Sequence, residues 1–222
     1  MTTRSMGPKR RGRPANTSTD DTVAAVLVAA RRLFAAHGYS GTSNQAVASA
    51  AGLAHTAIYN HFGSKAALFA AVFLDVQDRL NEELERSVRT APDDPPFPRA
   101  LLDAIEALHD DDPSYVEFLA SMYTEVRRHP ELREVFQGGQ RFPIFDTLRR
   151  LAVAQPAGGS GAIENPDDAV WFWITFALGL AQLSTLADPS VVAHTLRMFR
   201  SQFPLLVPAR PTEPTDAERG AP

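Results

Sequence analysis

Apolar residues recur every three or four positions along most of this chain, which is the spacing of one face of an amphipathic helix. The first such stripe follows Asp20 and Asp21, two acids that suit a helix start, and Gly38 ends it as a left-handed cap. Its members are Val23, Val26, Leu27, Ala30, Leu33 and Phe34. No run of alternating apolar and polar residues predicts a sheet, so the predicted fold class is all-α.

Two short helices are predicted next. Thr42 and Ser43 are capping residues at the start of the first of them, and Gly52 breaks the chain after it. The second spans about Thr56 to His61. The two helices are therefore joined by a tight turn.

A long helix and five more complete the predicted set. Ser64 caps the long one, from 65 to 90, which spans roughly 38 Å at 1.5 Å per residue. Asp112, Asn165 and Asp188 each precede a proline, which fits an N-cap followed by the first helical residue. The later helices are predicted at about 99–109, 113–136 with a bend at Pro130, 140–154, 166–186 and 189–202.

Composition narrows the class of protein. The chain has 222 residues, 44% of them apolar, which is enough for a packed core. It has no cysteine, which excludes a disulfide scaffold, a zinc–cysteine site and a cysteine nucleophile. The basic N-terminus precedes no apolar stretch, and the longest apolar run, Ala169 to Leu183, is shorter than the roughly 18 residues of a membrane span. We expect a cytoplasmic protein without a membrane partner.

Charge is divided unevenly along the chain. Residues 1–70 hold eight basic and two acidic residues, whereas residues 71–222 hold 14 basic and 24 acidic residues. The first part of the chain (residues 1–70, here the head) is thus basic, and the rest (residues 71–222, here the body) is acidic. This division indicates a polyanionic partner for the head, although a solvated basic tail would give the same count.

The short helices fit a helix-turn-helix, because they follow a supporting first helix and meet at a tight turn. The second short helix can enter the major groove of DNA if its outer residues are small or polar. Those outer residues are His55, Thr56, Ala57, Tyr59, Asn60 and His61. Leu53, Ile58 and Phe62 are predicted to face inward. Three-helix cores without a DNA-binding role share this spacing, so both interpretations stand at this point.

The stretch LFAAHGYSGTSNQAVASAAGLAHTAIYNHFGSKAALFAAV, from Leu33 to Val72, resembles the N-terminal domain of the TetR/AcrR family of bacterial transcriptional regulators. The matching positions are Phe34, Gly38-Tyr39, Thr42-Ser43, Val47-Ala48, Ala51-Gly52, Ile58-Tyr59, His61-Phe62, Ser64-Lys65 and Leu68. The resemblance covers about residues 20 to 72. Beyond it, the chain shares only the helix count and the acidic, apolar character of that family.

The resemblance implies contacts with the DNA backbone. Ser43 would touch phosphate, Gln45 would lie near a base edge or a phosphate, Tyr59 and His61 would donate to phosphate, and Lys65 would hold the backbone at the next helix start. Tyr59 could equally be a half-buried packing residue, and His61 could simply end its helix.

The resemblance also implies base contacts. His55 and Thr56 would face bases, and Asn60 occupies a variable contact position. Ala54 departs from the family, in which many members carry a serine that caps this helix. Because alanine cannot cap, the helix start would depend on DNA or on Thr56.

The N-terminal arm carries a second signal. Residues 9–14, Lys-Arg-Arg-Gly-Arg-Pro, resemble the AT-hook pattern. Gly12 would let the backbone lie deep in a narrow minor groove, where Arg11 and Arg13, flanked by Arg10, meet an enhanced negative potential. Nonspecific attraction to phosphate and an inert tail are the alternatives.

Composition at the two ends and the resemblance between them together predict a domain plan. It consists of a basic disordered arm (1–19), a helix-turn-helix domain (20–66), a helical domain for effector binding and dimerisation (67–203) and a disordered tail (204–222), with the long helix 65–90 linking the two domains.

The helix at 166–186 is apolar on nearly all sides and must be buried all round. A homodimer would bury it with the helix at 189–202, and the family implies a four-helix bundle of this kind; an intrachain core helix is the alternative. The predicted interface residues are Trp171, Ile174, Leu178, Leu196 and Phe199.

Aromatic and methionine residues cluster in the middle helices. Each alone is better explained as core, but as a set they suit a mostly apolar ligand pocket. The predicted pocket residues are His109, Tyr115, Phe118, Met122, Tyr123, Phe142, Phe145 and Gln182. The run Asp110-Asp111-Asp112 is interpreted as a helix end and an N-cap rather than a metal site.

The function expected from these features is that of a ligand-responsive, sequence-specific DNA-binding regulator. It would be a repressor that a small apolar effector releases from a palindromic operator. An activator of the same family and an architectural DNA-binding protein without an effector are the alternatives. The chain has no G-x-S-x-G, G-x-G-x-x-G, P-loop or His-Glu-x-x-His motif, so no catalytic residue, cofactor or metal is predicted.

Overall fold

The computed structural model describes residues 19–90, 97–137, 143–153, 165–186, 188, 190–191, 194–195 and 197–198. Within them lie nine helices and no strand, which confirms the all-α class. The helices are α1 (Thr19–Gly41), α2 (Asn44–Ala50), α3 (Thr56–Phe62), α4 (Lys65–Thr90), α5 (Phe97–Asp111), α6 (Ser114–Arg128), α7 (Pro130–Gln137), α8 (Pro143–Val153) and α9 (Pro166–Leu186). None of these helices is long and apolar enough to cross a membrane. The predicted arm and tail lie outside the described residues.

The predicted end of the first helix at Gly38 is a break in helical geometry rather than the end of α1. Gly38 has φ 69°, in the left-handed region, and the helix resumes for one short turn to Gly41. A Cβ at Gly38 would lie 2.7 Å from Glu125 Oε1 on α6. Glycine is therefore favoured here by the backbone, and any larger residue would also have to displace the Glu125 carboxylate.

The predicted helix over 113–136 is wrong as a single bent element, because the structure has two helices there. His129 is extended, with φ −115° and ψ 107°, and separates α6 from α7. A residue before proline is disfavoured in the helical region because the proline ring clashes with it. Pro130 therefore ends one helix and begins the next. Of the predicted helix at 189–202, residues 190–191, 194–195 and 197–198 are described, and they are helical.

Side-chain caps begin several helices as predicted. Ser43 Oγ accepts from the Ala46 amide at 3.1 Å, and Ser64 Oγ accepts from the Ala67 amide at 3.0 Å. Thr42 has a different role, since its buried hydroxyl bonds backbone carbonyls of α1. These bonds hold the connection between α1 and α2 against the supporting helix.

The main hydrophobic core crosses the predicted domain boundary at residue 66. The rings of Phe34 on α1, Phe69 on α4 and Phe118 on α6 pack with centroids 4.9 to 6.5 Å apart. Met122 of α6 and Leu132 of α7 belong to the same cluster, as do buried residues of α2 and α3. Helices α2 and α3 are therefore joined to the body through α1, which packs on α6, and through α4, which packs on α7.

A second core lies farther from the helix-turn-helix, between α4, α5, α8 and α9. Leu84, Leu101, Ile144, Leu148 and Val170 are its larger members. This core and its continuation at Leu108, Val116 and Ala181 surround the cavity described below.

Candidate functional site

Helices α2 and α3 form a helix-turn-helix. The turn after α2 is closed by the Leu53 amide, which donates to the Ala48 carbonyl at 2.9 Å, and Gly52 adopts φ 70° within it. Val47 on α2 and Ile58 on α3 are fully buried against the core. The opposite faces of both helices are therefore left free of the core.

The outer face of α3 presents the polar residues that the sequence predicts. His55, Thr56, Tyr59, Asn60 and His61 are all exposed. Tyr59 is 51% exposed and packs edge-on against the His55 ring, with centroids 5.3 Å apart. His55 occupies the N-cap position without a side-chain cap bond, so α3 does start without the usual cap. Together these side chains form a polar surface of the size of a two-turn helix.

The start of α2 contributes the remaining predicted contacts. Gln45 is exposed. Ser43 is also exposed, and although its oxygen caps α2, its hydroxyl hydrogen remains able to donate. Both residues lie at the end of α2 that adjoins the α1–α2 connection.

Lys65 is engaged within the protein. Its Nζ donates to the Tyr39 carbonyl at 2.9 Å and to the Thr42 carbonyl at 3.1 Å, and it lies 4.2 Å from the centroid of the Tyr39 ring. Burial lowers the pKa of Lys65, and the nearby carboxylates Glu131 and Glu125 oppose that shift. The structure gives Lys65 the task of holding the α1–α2 connection; its predicted contact with phosphate stays a prediction.

Arg31 is buried between the helix-turn-helix and the body. It is 2% exposed, its Nε donates to Ser114 Oγ at 2.9 Å, and its Nη2 donates to Asp112 Oδ2 at 2.8 Å. The guanidinium carbon lies 3.4 Å from the centroid of the Tyr115 ring. Arg32, which is exposed, pairs with the same Asp112 carboxylate at 2.8 Å. Sequence reasoning missed this cluster because its members lie about eighty positions apart.

The Asp112 carboxylate is the centre of that cluster. Burial alone would raise its pKa, but hydrogen bonds from Ser114, Arg32 and Arg31 lower the pKa of Asp112 well below its usual range. Its other oxygen accepts from the Ser114 amide at 3.1 Å; the N-cap of α6 is Pro113, one residue after the predicted Asp112. Among the described residues, no three His, Asp or Glu side chains could together hold a metal ion.

A second contact joins the end of α1 to the α6–α7 junction. Ser40 Oγ and His129 Nε2 lie 3.2 Å apart, and Glu125 Oε2 lies 3.2 Å from the same nitrogen. Burial raises the pKa of Tyr39 to about 12, helped by a hydrogen bond with Glu131 of α7. The helix-turn-helix is therefore tied to the body at two places, by Arg31 and by this cluster.

The helix-turn-helix itself is uncharged in sequence. Residues 33–64 contain no Lys, Arg, Asp or Glu. The flanking cations Arg31, Arg32 and Lys65 bond groups of the protein. The other basic residues of the head, Arg4, Lys9, Arg10, Arg11 and Arg13, precede the described residues. The segment from α2 to α3 therefore brings no formal charge to its exposed face.

The arm joins the fold beside α3. Thr19 and Thr22 of α1 line a groove together with Thr56, Asn60 and His61 of α3. Arg13 is six residues from Thr19, so an extended arm would place it within roughly 20 Å of this groove. The basic arm thus starts at the edge of the polar surface.

A cavity lies inside the body, between α4, α5, α6, α8 and α9. Its volume is about 80 Å³, measured as the space open to the centres of water molecules. Phe73, Leu101, Leu148 and Leu178 contribute to a wall that is almost entirely apolar.

Three of the predicted pocket residues do line this cavity: Met122, Tyr123 and Phe145. Tyr123 is 46% exposed, so it lies where the cavity approaches the surface. Partial burial raises the pKa of the Tyr123 hydroxyl.

The other predicted pocket residues lie elsewhere. Phe118 belongs to the main core, and Tyr115 packs against Arg31. His109 and Gln182 are exposed, and the Gln182 amide donates to the Ala120 carbonyl. Helical spacing alone does not show which of several apolar faces borders a cavity. Phe142 lies outside the described residues.

The sequence analysis missed Gln77, which is a polar residue of the cavity wall. The sequence does indicate this residue, because Gln77 interrupts the apolar helical face formed by Phe73, Leu80 and Leu84.

The predicted interface residues of α9 are divided between two environments. Ile174 and Leu178 line the cavity and thus face inward. Trp171 is 57% exposed, its neighbour Phe172 is 55% exposed, and the Trp171 ring packs edge-on against Phe145. Leu196 and Phe199 lie outside the described residues. Since α9 is apolar all round, its periodicity could not separate the inner face from the outer one.

Comparison with known proteins agrees with this geometry. Residues 26–72, from within α1 into α4, match the model for bacterial regulatory proteins of the tetR family. The fold is similar to that of the fatty acid degradation regulator FadR from Bacillus halodurans, with a TM-score of 0.62 and 16% identity over 82% of this chain and 96% of that one.

Two curated proteins are similar in sequence. The HTH-type transcriptional repressor AcnR of Corynebacterium efficiens is 27% identical over 134 residues, which are 60% of this chain and 64% of AcnR. The HTH-type transcriptional regulator EthR of Mycolicibacterium smegmatis is 29% identical over 161 residues, 72% of this chain and 73% of EthR. Residues 26–72, which include the helix-turn-helix, therefore match the tetR family of bacterial regulatory proteins, and the chain is similar to two HTH-type transcriptional regulators.

Proposed function

We propose that this chain is a transcriptional repressor that binds a palindromic DNA operator as a homodimer and leaves it when a small effector occupies the cavity. The observation that carries the proposal is the polar outer face of α3, with five exposed polar or aromatic side chains on a helix whose other face is anchored by Ile58. A helix of this size and polarity fits the major groove. The similarity to AcnR, which is a transcriptional repressor, supports repression rather than activation.

The exposed residues of α2 and α3 are proposed to have two roles: some contact base edges and others contact the DNA backbone. His55, Thr56 and Asn60 point away from the core and would contact base edges. Tyr59 and His61 would donate to phosphates on one side of the groove. Ser43 and Gln45 would contact the backbone, or a base edge in the case of Gln45, from the start of α2.

The basic arm would supply most of the attraction to phosphate. Residues 33–64 are uncharged, and the flanking Arg31, Arg32 and Lys65 bond groups of the protein, which leaves Arg10, Arg11 and Arg13 of the arm as candidates for phosphate contact. We propose that they enter the minor groove next to the operator half-site, where a narrow groove concentrates negative potential.

The proposed dimer uses the outer face of α9. Trp171 and Phe172 expose large apolar side chains on neighbouring positions, and Val191 and Met198 add exposed apolar residues after α9. Burial of exposed aromatic side chains is a strong driving force for association. A two-fold dimer would present two α3 helices to a palindromic site.

Helix α6 offers the route from effector to DNA. Val116, Leu119 and Met122 of α6 line the cavity, while Ser114, its first residue, binds Arg31 of α1. An effector that moves α6 would therefore move α1 and the helix-turn-helix with it. Coupling of this kind is reciprocal, so the operator would lower effector affinity by the same factor.

Selection from a random duplex pool with the full-length protein at physiological salt tests the proposal. We expect a palindromic site to be recovered, and we expect transcription from a promoter carrying that site to rise when the protein is absent. Recovery of only A·T-rich, non-palindromic DNA would replace the proposal with an architectural role, and a fall in transcription would make the protein an activator. A regulator of this kind acts at the nucleoid, so we propose the cytoplasm as its location.

A further inference from the structure

We propose that Gln77 is the anchor of the cavity and that the ligand is a neutral, mostly hydrocarbon molecule with a single hydroxyl or amide group that hydrogen-bonds to this side chain. The inference rests on the proposed role of the cavity as the effector site. It names the chemical class of the ligand and the residue that recognises it.

Gln77 is a buried polar side chain whose oxygen has no partner among the residues that the structure describes. It is 6% exposed and lines the cavity from α4, on the same helical face as Phe73 and Leu80. Within the described part of the chain, Gln77 Oε1 is buried and accepts no hydrogen bond. A buried acceptor without a donor destabilises the folded protein, so a ligand that supplies the donor gains affinity from it.

The amide group determines what the ligand must offer. A glutamine side chain has one accepting oxygen and a donating NH₂, and the two ends are distinguished only by their hydrogen bonds. A hydroxyl both donates and accepts, and so does a primary or secondary amide. Either group satisfies Gln77 in whichever orientation the side chain takes.

The rest of the wall excludes a charged ligand. Apart from Gln77 and the Tyr123 hydroxyl, the described lining residues are apolar, and none of them is charged. The undescribed side chains of α5, α8 and α9 are uncharged in the sequence as well. A carboxylate or an ammonium group would therefore lose its hydration without gaining a counterion.

The size of the cavity fits a small molecule. A single water needs about 10 to 15 Å³ by the same measure, so a volume of about 80 Å³ holds roughly five to eight water molecules. Tyr123, a lining residue that is 46% exposed, shows that the wall reaches the protein surface at this end.

Matched benzyl compounds test the charge and the polar group separately. Binding of benzyl alcohol, toluene, benzoate and benzylamine to the full-length protein is measured by calorimetry or by ligand-observed NMR at pH 7.5, without DNA. We expect benzyl alcohol to bind at least tenfold more tightly than benzoate and benzylamine. Benzoate or benzylamine that binds as tightly as the alcohol, or an alcohol that does not bind, would overturn the proposal.

A pair of variants assigns the effect to Gln77. Gln77→Met is expected to lower the affinity for benzyl alcohol about tenfold, because the hydrogen bond is removed. The affinity for toluene should stay the same or rise. Gln182→Met makes the same chemical change outside the cavity, and we expect it to leave the ratio of the two affinities unchanged. An unchanged ratio in Gln77→Met would overturn the proposal.

The melting temperature of the ligand-free protein gives a readout independent of ligand binding. Gln77→Met should raise it, since the variant removes an unpaired buried acceptor. A lower melting temperature together with an unchanged affinity ratio would mean that Gln77 has only a structural role. If the protein selects an operator but ignores benzyl alcohol, only this inference fails. If it binds benzyl alcohol through Gln77 but selects no operator, only the proposed function fails.

Discussion

Arg31 is the residue on which the connection between the helix-turn-helix and the body depends most. Its guanidinium is enclosed by Asp112, Ser114 and the Tyr115 ring. A buried cation of this kind is stable only with its partners present, since water no longer solvates it. Two helices distant in sequence, α1 and α6, are thereby fixed in one relative position.

Replacing Arg31 should therefore cost far more stability than replacing its neighbour. For Arg31→Met we expect a loss of about 3 kcal/mol, because Asp112 loses its buried partner. For Arg32→Met we expect less than about 1 kcal/mol, since Arg32 is exposed to solvent. Urea unfolding of both variants measures the difference, and equal losses would contradict the structural role given to Arg31.

The Asp112 carboxylate makes part of this stability depend on pH. Its pKa in the folded protein lies below the value of about 3.9 for an unfolded chain. Its contribution is therefore present above about pH 4 and is lost as the pH falls below that value. We expect the difference in melting temperature between the natural protein and Asp112→Asn to be largest near pH 7 and to shrink below pH 4. Asp111→Asn, at an exposed carboxylate, should show no such trend.

At the scale of elements, local pattern predicted which segments are helical but not which face of each helix meets which neighbour. The stripe of α4 and the caps at Ser43 and Ser64 depend on neighbours within four residues, and the structure has them as predicted. The assignment of Ile174 and Leu178 to an interface depended on long-range packing, and the structure places both on the cavity wall. Gln77 and the Arg31 cluster were missed for the same reason.

The two roles proposed for α3 predict different effects on DNA binding. Thr56→Ala should change the preference among operators that differ at one base pair, by about 1 to 3 kcal/mol at that position. Tyr59→Phe should lower the affinity for all DNA sequences equally, because it removes only a hydrogen-bond donor to phosphate. Titration of both variants against the selected site and its single-base changes tests this. Indistinguishable patterns would contradict the division of roles.

The break in α1 should be sensitive to any side chain. Gly38→Ala combines a left-handed backbone with a Cβ 2.7 Å from Glu125 Oε1, and shifting this carboxylate would disturb the pair between its Oε2 and His129 Nε2. Gly63→Ala has a similar φ of 75° but meets nothing within 4 Å of the new Cβ. We expect about 1 kcal/mol of destabilisation for Gly63→Ala from the backbone alone and a clearly larger loss for Gly38→Ala. Thermal unfolding measures both, and equal losses would show that the contact with α6 has no energetic role.

At the scale of the whole molecule, fold and charge are carried by different parts of the chain. The nine described helices hold both hydrophobic cores, and five of the eight basic residues in residues 1–70 precede Thr19. Deleting residues 1–18 should therefore leave the melting temperature unchanged but weaken DNA binding at low salt. The slope of log affinity against log salt should fall by about 0.9 for each phosphate that the arm no longer neutralises.

A variant with Arg10, Arg11 and Arg13 replaced by glutamine tests the same point in the full-length chain. We expect most of the weakening caused by the deletion to be reproduced. Titrations at several salt concentrations, with circular dichroism as a check on the fold, measure it. A slope equal to that of the natural protein would show that the arm does not contact phosphate.

The shared core of Phe34, Phe69 and Phe118 bears on how such regulators could be recombined. A DNA-reading unit cut out at residue 66 would leave Phe34 and Tyr39 without Phe69, Phe118 and Leu132, and would expose apolar side chains that are buried in the intact chain. A chimaera that joins this reader to the sensing body of a relative would need to carry the matching face of α6 and α7 with it. In this protein, new combinations of operator and effector are therefore reached more readily by substitutions on the outer face of α3 and in the cavity than by exchange of whole segments.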